Sequence, residues 1–88
     1  MTRIVGTYKL LPEDPETEPA VLKERLEAAL PKDMKVTASG ERPIAFGLKA
    51  LIVDINFEEQ DGKQDELEEI LSKIEGVGEF EALQLFRL

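Results

Sequence analysis

Carboxylates are the most abundant groups in this sequence that could do chemistry. The 88 residues include 19 Asp+Glu against 11 Lys+Arg, so the formal net charge is −8. Many of the carboxylates are concentrated in one stretch: Glu58, Glu59, Asp61, Asp65, Glu66, Glu68 and Glu69. This stretch lacks the Asp-x-Asp-x-Asp-Gly spacing and the final Glu of a calcium loop. It therefore predicts a solvated loop and helix face, and no metal site.

Histidine and cysteine are both missing from the chain. Without them there is no side chain that ordinarily titrates near neutral pH, no thiolate nucleophile and no Cys-based zinc site. The carboxylates are too numerous for one pair to stand out as acid and base, and the glycines do not cluster in a phosphate-binding pattern. We therefore expect neither an enzyme nor a bound cofactor. The lack of cysteine fits a reducing, cytoplasmic compartment.

The segment from Glu41 to Lys49 is more informative. Pro43 holds Arg42 extended, and Gly47 beside Phe46 allows another backbone to approach closely. Such a segment can present an aromatic side chain to a partner. Because most phenylalanines are buried, Phe46 on this pattern alone fits a core position as well as an outward one.

The apolar pattern predicts the elements that position these residues. Residues 3–11 are rich in β-branched and aromatic types and stop at Pro12, as expected of a strand. A helix is expected to start near residue 18, with Pro19 in its first turn, and to end at Pro31. Its apolar stripe consists of Leu22, Leu26, Ala29 and Leu30.

Two strands joined by a short connection are expected next. They cover 34–39 and 46–57, with Gly40 to Pro43 interrupting the pattern. In the second strand the odd-numbered positions from Leu51 to Phe57 are all apolar, which marks the core face. Phe46 has the opposite parity, and this favours its outward position.

A second helix is expected after a polar loop, and a last strand from Val77 to Leu88. The helix carries apolar residues at i, i+3, i+4 and i+7, namely Leu67, Ile70, Leu71 and Ile74. Gly76 is placed to cap it. The apolar residues of the strand change parity, which predicts a β-bulge. Arg87, near the end of this strand, has by itself the pattern of a solvated terminal charge.

The predicted order is β-α-β-β-α-β in a single domain over residues 1–88. This order is typical of the α+β ferredoxin-like fold, a four-stranded antiparallel sheet with two helices on one face. No apolar run approaches the roughly 20 residues that span a bilayer, so we expect no membrane association. The acidic balance also predicts no direct nucleic-acid binding, and it favours a protein partner with a basic or mixed surface.

Four parts of the chain, taken in order, resemble a known family. The most specific is the central run Pro43-Ile44-Ala45-Phe46-Gly47-Leu48-Lys49-Ala50-Leu51; the others are Lys9-Leu10-Leu11-Pro12-Glu13, the helix from Leu67 to Glu75 leading into Gly76-Val77, and Arg87. Together they resemble the archaeal translation elongation factor 1-beta family over the whole chain. The resemblance implies a ferredoxin-like guanine nucleotide exchange factor. Such a factor promotes GDP release from the GTPase elongation factor 1-alpha, so that GTP can rebind, and it makes or breaks no bond.

The resemblance also implies roles for single residues. Phe46 would insert into the nucleotide-binding domain of the GTPase. Arg87 would stand where the eukaryotic exchange domain has a penultimate lysine that approaches the magnesium and phosphate site, although a guanidinium is bulkier and forks differently from an ammonium. A cation there competes with Mg²⁺ for the same anionic ligands. Pro43 and Lys49 are further expected contacts, but Lys49 also fits a side chain that snorkels to the rim of the core.

Two other functions fit the same fold. A small-molecule-binding regulatory domain of this type pairs sheets edge to edge and requires a dimer, whereas the exchange factor is expected to be a monomer. An RNA-binding sheet needs two or three exposed aromatics flanked by basic residues. The acidic balance and the single Tyr argue against that function.

Overall fold

The computed structural model describes residues 2–44 and 47–88. Over these ranges the chain forms strands and helices in the predicted β-α-β-β-α-β order. The elements are β1 (Arg3–Pro12), α1 (Pro19–Ala29), β2 (Lys35–Pro43), β3 (Lys49–Glu58), α2 (Lys63–Lys73) and β4 (Val77–Arg87).

Strand β1 lies inside one antiparallel sheet whose spatial order is β2-β3-β1-β4. Its register with β3 pairs Tyr8 with Val53 and Leu10 with Leu51. Because side chains alternate between the two faces of a sheet, even-numbered residues of β1 share a face with odd-numbered residues of β3. These four side chains are at most 2% exposed. The predicted core face of β3 is therefore confirmed.

Both helices pack on that face of the sheet. Leu22 and Leu26 of α1 and Leu67 and Leu71 of α2 are fully buried in the same cluster as the β1 and β3 residues. The opposite face of the sheet carries no helix from the described part of the chain. The architecture is the α+β ferredoxin-like fold that the order of elements predicts.

Local sequence explains where the helices begin and end. α1 starts at Pro19, whose missing N–H would have no partner in a first turn anyway, and Leu30 caps it just before Pro31. α2 starts after Gly62, which adopts a left-handed φ of 83°. Its first turn is acidic and its last turn ends in Lys73, which suits the helix dipole. No described helix is long and apolar enough to cross a membrane.

The two middle strands differ from the prediction in their bounds. β2 does not stop at Ser39 but continues through Gly40 to Pro43, and β3 begins at Lys49 rather than Phe46. β2 is an edge strand, so Pro43 can end it without breaking a hydrogen bond in the sheet interior. Nearly all of β2 is exposed, which shows that its outer half extends beyond the cover of the helices.

Three smaller expectations have mixed outcomes. Ala29 is exposed and is not part of the buried stripe. It is the last residue of α1, and the helix packs on the sheet through Leu22 and Leu26. The cap of α2 is Ile74, and Gly76 follows with a φ of 94° in the turn to β4. The irregularity predicted in β4 is confirmed, since the β1–β4 register shifts twice.

Gly6 provides a test of the packing between the sheet and its core. A Cβ added there would lie 2.8 Å from the Cε1 atom of Tyr8 and 3.0 Å from the Cδ2 atom of Leu85. Since the Tyr8 ring is fully buried and cannot move aside, we expect Gly6→Ala to lower the free energy of unfolding by about 1–3 kcal/mol. Urea denaturation followed by circular dichroism measures this change. Gly40→Ala, where nothing lies within 4 Å, is the control, and equal effects of the two substitutions would contradict the steric explanation.

Tyr8 gives the protein a measurable dependence on alkaline pH. Burial, together with the nearby Glu68 carboxylate, raises the pKa of Tyr8 to about 12. The folded state thus holds the phenolic proton more tightly than the unfolded chain, whose pKa is near 10, so this stability is fully present below pH 10 and is lost as the pH rises through about 12. By pH 12 we expect wild type to have lost about 2 kcal/mol of unfolding free energy relative to Tyr8→Phe. Unfolding curves of both proteins between pH 9 and 12 would show it, and parallel pH profiles would refute it.

Candidate functional site

The predicted site residues are distributed over the two ends of the sheet. Pro43 and Lys49 face each other where β2 ends and β3 begins. Arg87 pairs with Ile4, where β1 begins and β4 ends. We call these the hairpin end and the carboxyl-terminal end.

At the hairpin end, Pro43 and Lys49 are both exposed. Beyond them, the N–H of Ile44 donates a hydrogen bond of 2.8 Å to the carbonyl of Leu48, which keeps the two strands together. The Lys49 side chain shares the parity of the core face, yet it is exposed, because an open cleft separates it from the start of α1. The prediction made for Phe46 lies outside the described residues.

A cleft of about 560 Å³ separates this hairpin from the loop that follows β1. Its charged lining consists of Glu16, Glu18, Glu41 and Lys49. The loop wall is held in place by a turn in which the Asp14 carboxylate accepts a 2.8 Å hydrogen bond from the N–H of Glu16. Three carboxylates against one ammonium give this cleft a net negative charge, which suits a basic group on a partner.

At the carboxyl-terminal end, Arg87 forms an ion pair with Glu59. The Arg87 Nε–H donates a 2.6 Å hydrogen bond to Glu59 Oε1, and Nη2 contacts the same oxygen. The backbone on both sides of the pair is fixed: Glu59 N–H donates to the Thr2 carbonyl at 2.9 Å, and Leu88 N–H donates to the Arg3 carbonyl at 2.8 Å. The guanidinium is thus exposed, as its terminal position predicts, and the ion pair attaches it to Glu59 beside the strand end.

Exposed apolar side chains flank Arg87 on this edge strand, with Leu85 on the same face of the sheet and Phe86 on the opposite face. The large apolar residues that β4 and the last position expose are Leu83 at 38%, Leu85 at 44%, Phe86 at 52% and Leu88 at 71%. An arginine among exposed apolar side chains is a common composition for the centre of a protein interface. Sequence reasoning did not assign these residues to the site. The available signal was the Phe86-Arg87-Leu88 run itself, in which apolar residues flank the charge on both sides.

The acidic stretch after β3 has several separate roles. Asp61, Asp65, Glu66 and Glu69 are exposed, as predicted for a solvated face. A hydrogen bond from Lys73 lowers the pKa of Glu69. Glu59 and Glu68 differ from the prediction, because Glu59 binds Arg87 and Glu68 accepts hydrogen bonds from Tyr8 and Gln64. Among residues 2–44 and 47–88, no three of these side chains are grouped as metal ligands.

A second polar cluster anchors the carboxyl-terminal end to the helices. Arg3 donates to the Asn56 side chain at 2.6 Å and to the Asp33 carbonyl at 2.9 Å. Lys63, at the start of α2, pairs with the Asp33 carboxylate at 2.5 Å. This hydrogen bond raises the pKa of Lys63 and lowers that of Asp33. The cluster therefore connects β1, the loop before β2 and α2 at the end of the sheet that carries Arg87.

The structure does not bring Arg87 together with Pro43 and Lys49. Arg87 is level with Ile4, whereas Lys49 lies two positions beyond the Leu51–Leu10 pair and is therefore level with Pro12. Eight residues of β1 separate these levels, which amounts to roughly 26 Å along the strands. The two ends cannot belong to one small pocket.

Comparison with known proteins assigns the chain to a family. Residues 5–88 match the model of the EF-1 guanine nucleotide exchange domain. The chain belongs to this family. The proteins named elongation factor 1-beta from Aeropyrum pernix and Methanosarcina acetivorans are similar to it, with 41% and 37% identity. The comparison covers 100% of this chain in both cases, and 99% and 100% of those relatives.

Membership of the exchange-domain family confirms the resemblance drawn from the sequence. The matched range of residues 5–88 includes both ends of the sheet, the hairpin with Pro43 and Lys49 and the strand end with Arg87. The elongation factor 1-beta of Thermofilum pendens, with 38% identity, also matches over 99% of this chain. These comparisons favour an exchange domain over the regulatory ligand-binding alternative, and they leave the roles of single residues to the experiments below.

The separation of the two ends can be measured directly. The sequence contains no cysteine, so Lys49→Cys combined with Arg87→Cys places two spin labels without interference. From the strand register and the spacing between strands we expect a mean distance of roughly 25–35 Å by double electron–electron resonance. A distribution centred below about 15 Å would show that the strands are paired in another register.

Proposed function

We propose that this chain promotes the release of GDP from elongation factor 1-alpha, so that GTP can rebind. The observation that carries the proposal is the match of residues 5–88 to the EF-1 guanine nucleotide exchange domain. The relatives that share its full length bear the name elongation factor 1-beta. The chain acts by binding, and no covalent bond is made or broken.

Arg87 is the residue proposed to act at the nucleotide site of the GTPase. Its cationic guanidinium presents N–H donors in a planar fork that matches phosphate and carboxylate oxygens. A cation placed near the bound Mg²⁺ of the GTPase competes for the same anionic ligands. Because Mg²⁺ would neutralise the negative charge of the GDP phosphates in the GTPase, its loss would weaken the hold on the nucleotide. The 72% exposure of the Arg87 side chain supports this role.

Exchange of this kind follows from reciprocal coupling. A factor that binds the nucleotide-free GTPase more tightly than the GDP-bound form must lower the affinity for GDP by the same factor. The apolar residues around Arg87 supply binding energy that does not depend on the nucleotide, and the guanidinium supplies the part that does. Both parts lie on the exposed edge strand β4, where Leu85 shares the face of Arg87 and Phe86 lies on the opposite face, so a partner that binds this edge meets both.

Pro43, Lys49 and Phe46 are proposed to contact the same GTPase at a different place. The roughly 26 Å between Lys49 and Arg87 along the strands requires a partner surface of at least that length. The acidic cleft at the hairpin end, lined by Glu16, Glu18 and Glu41, supports a basic partner surface there. The exchange factor therefore spans two regions of the GTPase in this proposal, one of which holds the nucleotide.

The acting form is proposed to be a cytoplasmic monomer. A net charge of −8 on 88 residues opposes association with a second copy. The same charge opposes direct contact with tRNA or ribosomal RNA, so the GTPase is the expected macromolecular partner.

Release of a fluorescent GDP analogue from archaeal elongation factor 1-alpha tests the proposal. We expect wild type to accelerate release, and to do so less at high Mg²⁺, because Mg²⁺ and Arg87 compete. Arg87→Ala is expected to reduce the acceleration at least about tenfold, equivalent to roughly 1.4 kcal/mol, and to remove its dependence on Mg²⁺. Phe46→Ala is expected to reduce the acceleration at both Mg²⁺ concentrations, while Phe46→Leu retains part of it.

Lys73→Ala is the matched control for loss of a cation. Its side chain is 72% exposed, as is that of Arg87, but it lies at the end of α2 and outside both proposed contacts. It should leave the rate of GDP release unchanged. If folded wild type gives no acceleration with an active GTPase, the exchange function is wrong; if Arg87→Ala matches wild type, only the role of Arg87 is wrong.

A further inference from the structure

Glu59 holds the Arg87 guanidinium by one side only. Nε–H and Nη2 both face Glu59 Oε1. An arginine has five N–H donors, in a rigid plane. Within residues 2–44 and 47–88, the structure gives no hydrogen-bond partner to the remaining three donors, which belong to Nη1 and to the outer side of Nη2. The contact with Glu59 therefore fixes the plane of the guanidinium and leaves its other edge available.

Glu59 and Arg87 are unequally exposed to solvent, so the ion pair has a protein side and a solvent side. The Glu59 side chain is 31% exposed, whereas that of Arg87 is 72% exposed. Glu59 is also held from behind, since its backbone N–H donates to the Thr2 carbonyl at 2.9 Å. The carboxylate thus stands on the protein side of the pair and the guanidinium on the solvent side.

We propose that Glu59 is a positioning residue, which orients the Arg87 guanidinium so that its free edge meets the anionic nucleotide site of the GTPase. The inference rests on the exchange function proposed above. A long arginine side chain at a strand end samples many rotamers, and ordering it during exchange costs free energy. Glu59 supplies this order before the GTPase binds. Glu59 does not block the contact with the GTPase. It binds the Nε–Nη2 edge of the guanidinium and leaves the Nη1 edge to face the partner.

Glu59→Gln separates positioning from a simple change in charge. Removing a negative charge beside Arg87 strengthens its Coulomb attraction to phosphates, so charge alone would lower the concentration of factor that gives half-maximal acceleration. Loss of positioning instead lowers the maximal rate of GDP release at saturating factor. We expect that maximal rate to fall roughly three- to tenfold, with the half-maximal concentration unchanged or lower.

Two further variants keep the test specific. Asp61→Asn removes the same charge from the cleft that Glu59 and Arg87 line, and we expect it to leave the maximal rate within twofold of wild type. In the Arg87→Ala background, Glu59→Gln should have no further effect, because there is no guanidinium left to position. Glu59→Asp should restore part of the rate lost in Glu59→Gln. An equal loss from Glu59→Gln with and without Arg87 would overturn the proposal.

A measurement on the free protein makes the inference independent of exchange activity. In ¹⁵N NMR spectra, the Arg87 Nε–H should give a resolved signal that exchanges slowly with water, assigned by its loss in Arg87→Lys. Glu59→Gln should shift this signal and speed its exchange. A signal with the properties of free arginine in wild type would overturn the positioning role even if exchange activity were confirmed. If wild type shows the slowly exchanging Nε–H signal but does not accelerate GDP release from the GTPase, the exchange function is rejected. The proposed role of Glu59 in exchange is then rejected with it.

Discussion

The register of β1 is the constraint on which the rest of the structure depends. This strand pairs with β3 on one side and β4 on the other, and its even-numbered side chains form the floor of the core. A slip by one residue would move Tyr8 and Leu10 from the core to the open face. Because the same register sets Arg87 opposite Ile4, packing of the core also determines where the candidate contacts lie. The distance between the two ends of the site is therefore as stable as the core itself.

Local patterns were sufficient to predict the elements whose burial is regular. The stripe of α2 and the odd positions of β3 each have one face buried, and the periods of 3.6 and 2 describe them well. The pattern failed where an element leaves the core. β2 continues to Pro43, and Lys49 is exposed to the cleft between the hairpin and the start of α1. No local sequence signal reports the position of a helix on another part of the chain.

The site was harder to predict than the fold because its residues meet through long-range contacts. Arg87 and Glu59 are 28 positions apart in sequence, and they meet because β3 and β4 both pair with the start of β1. Composition placed Glu59 among many equivalent carboxylates, and a terminal arginine without a known partner is expected to be solvated. The family resemblance drew attention to Arg87 and the central motif, whose roles stay predictions, and it contains no information about their separation.

The overall charge of the protein limits how Arg87 can reach a nucleotide. A molecule with a net charge of −8 has no overall attraction to a phosphate site, so attraction to GDP cannot guide the encounter. The field of this net charge is screened beyond about 8 Å at physiological ionic strength. Docking must then come from contacts that need no attraction to phosphate, and the exposed side chains of Leu85, Phe86 and Leu88 are of this kind. When these side chains are bound to the GTPase, the Arg87 guanidinium lies close to the nucleotide site. At that short distance its positive charge outweighs the more distant acidic surface, and the proposed competition with Mg²⁺ becomes effective.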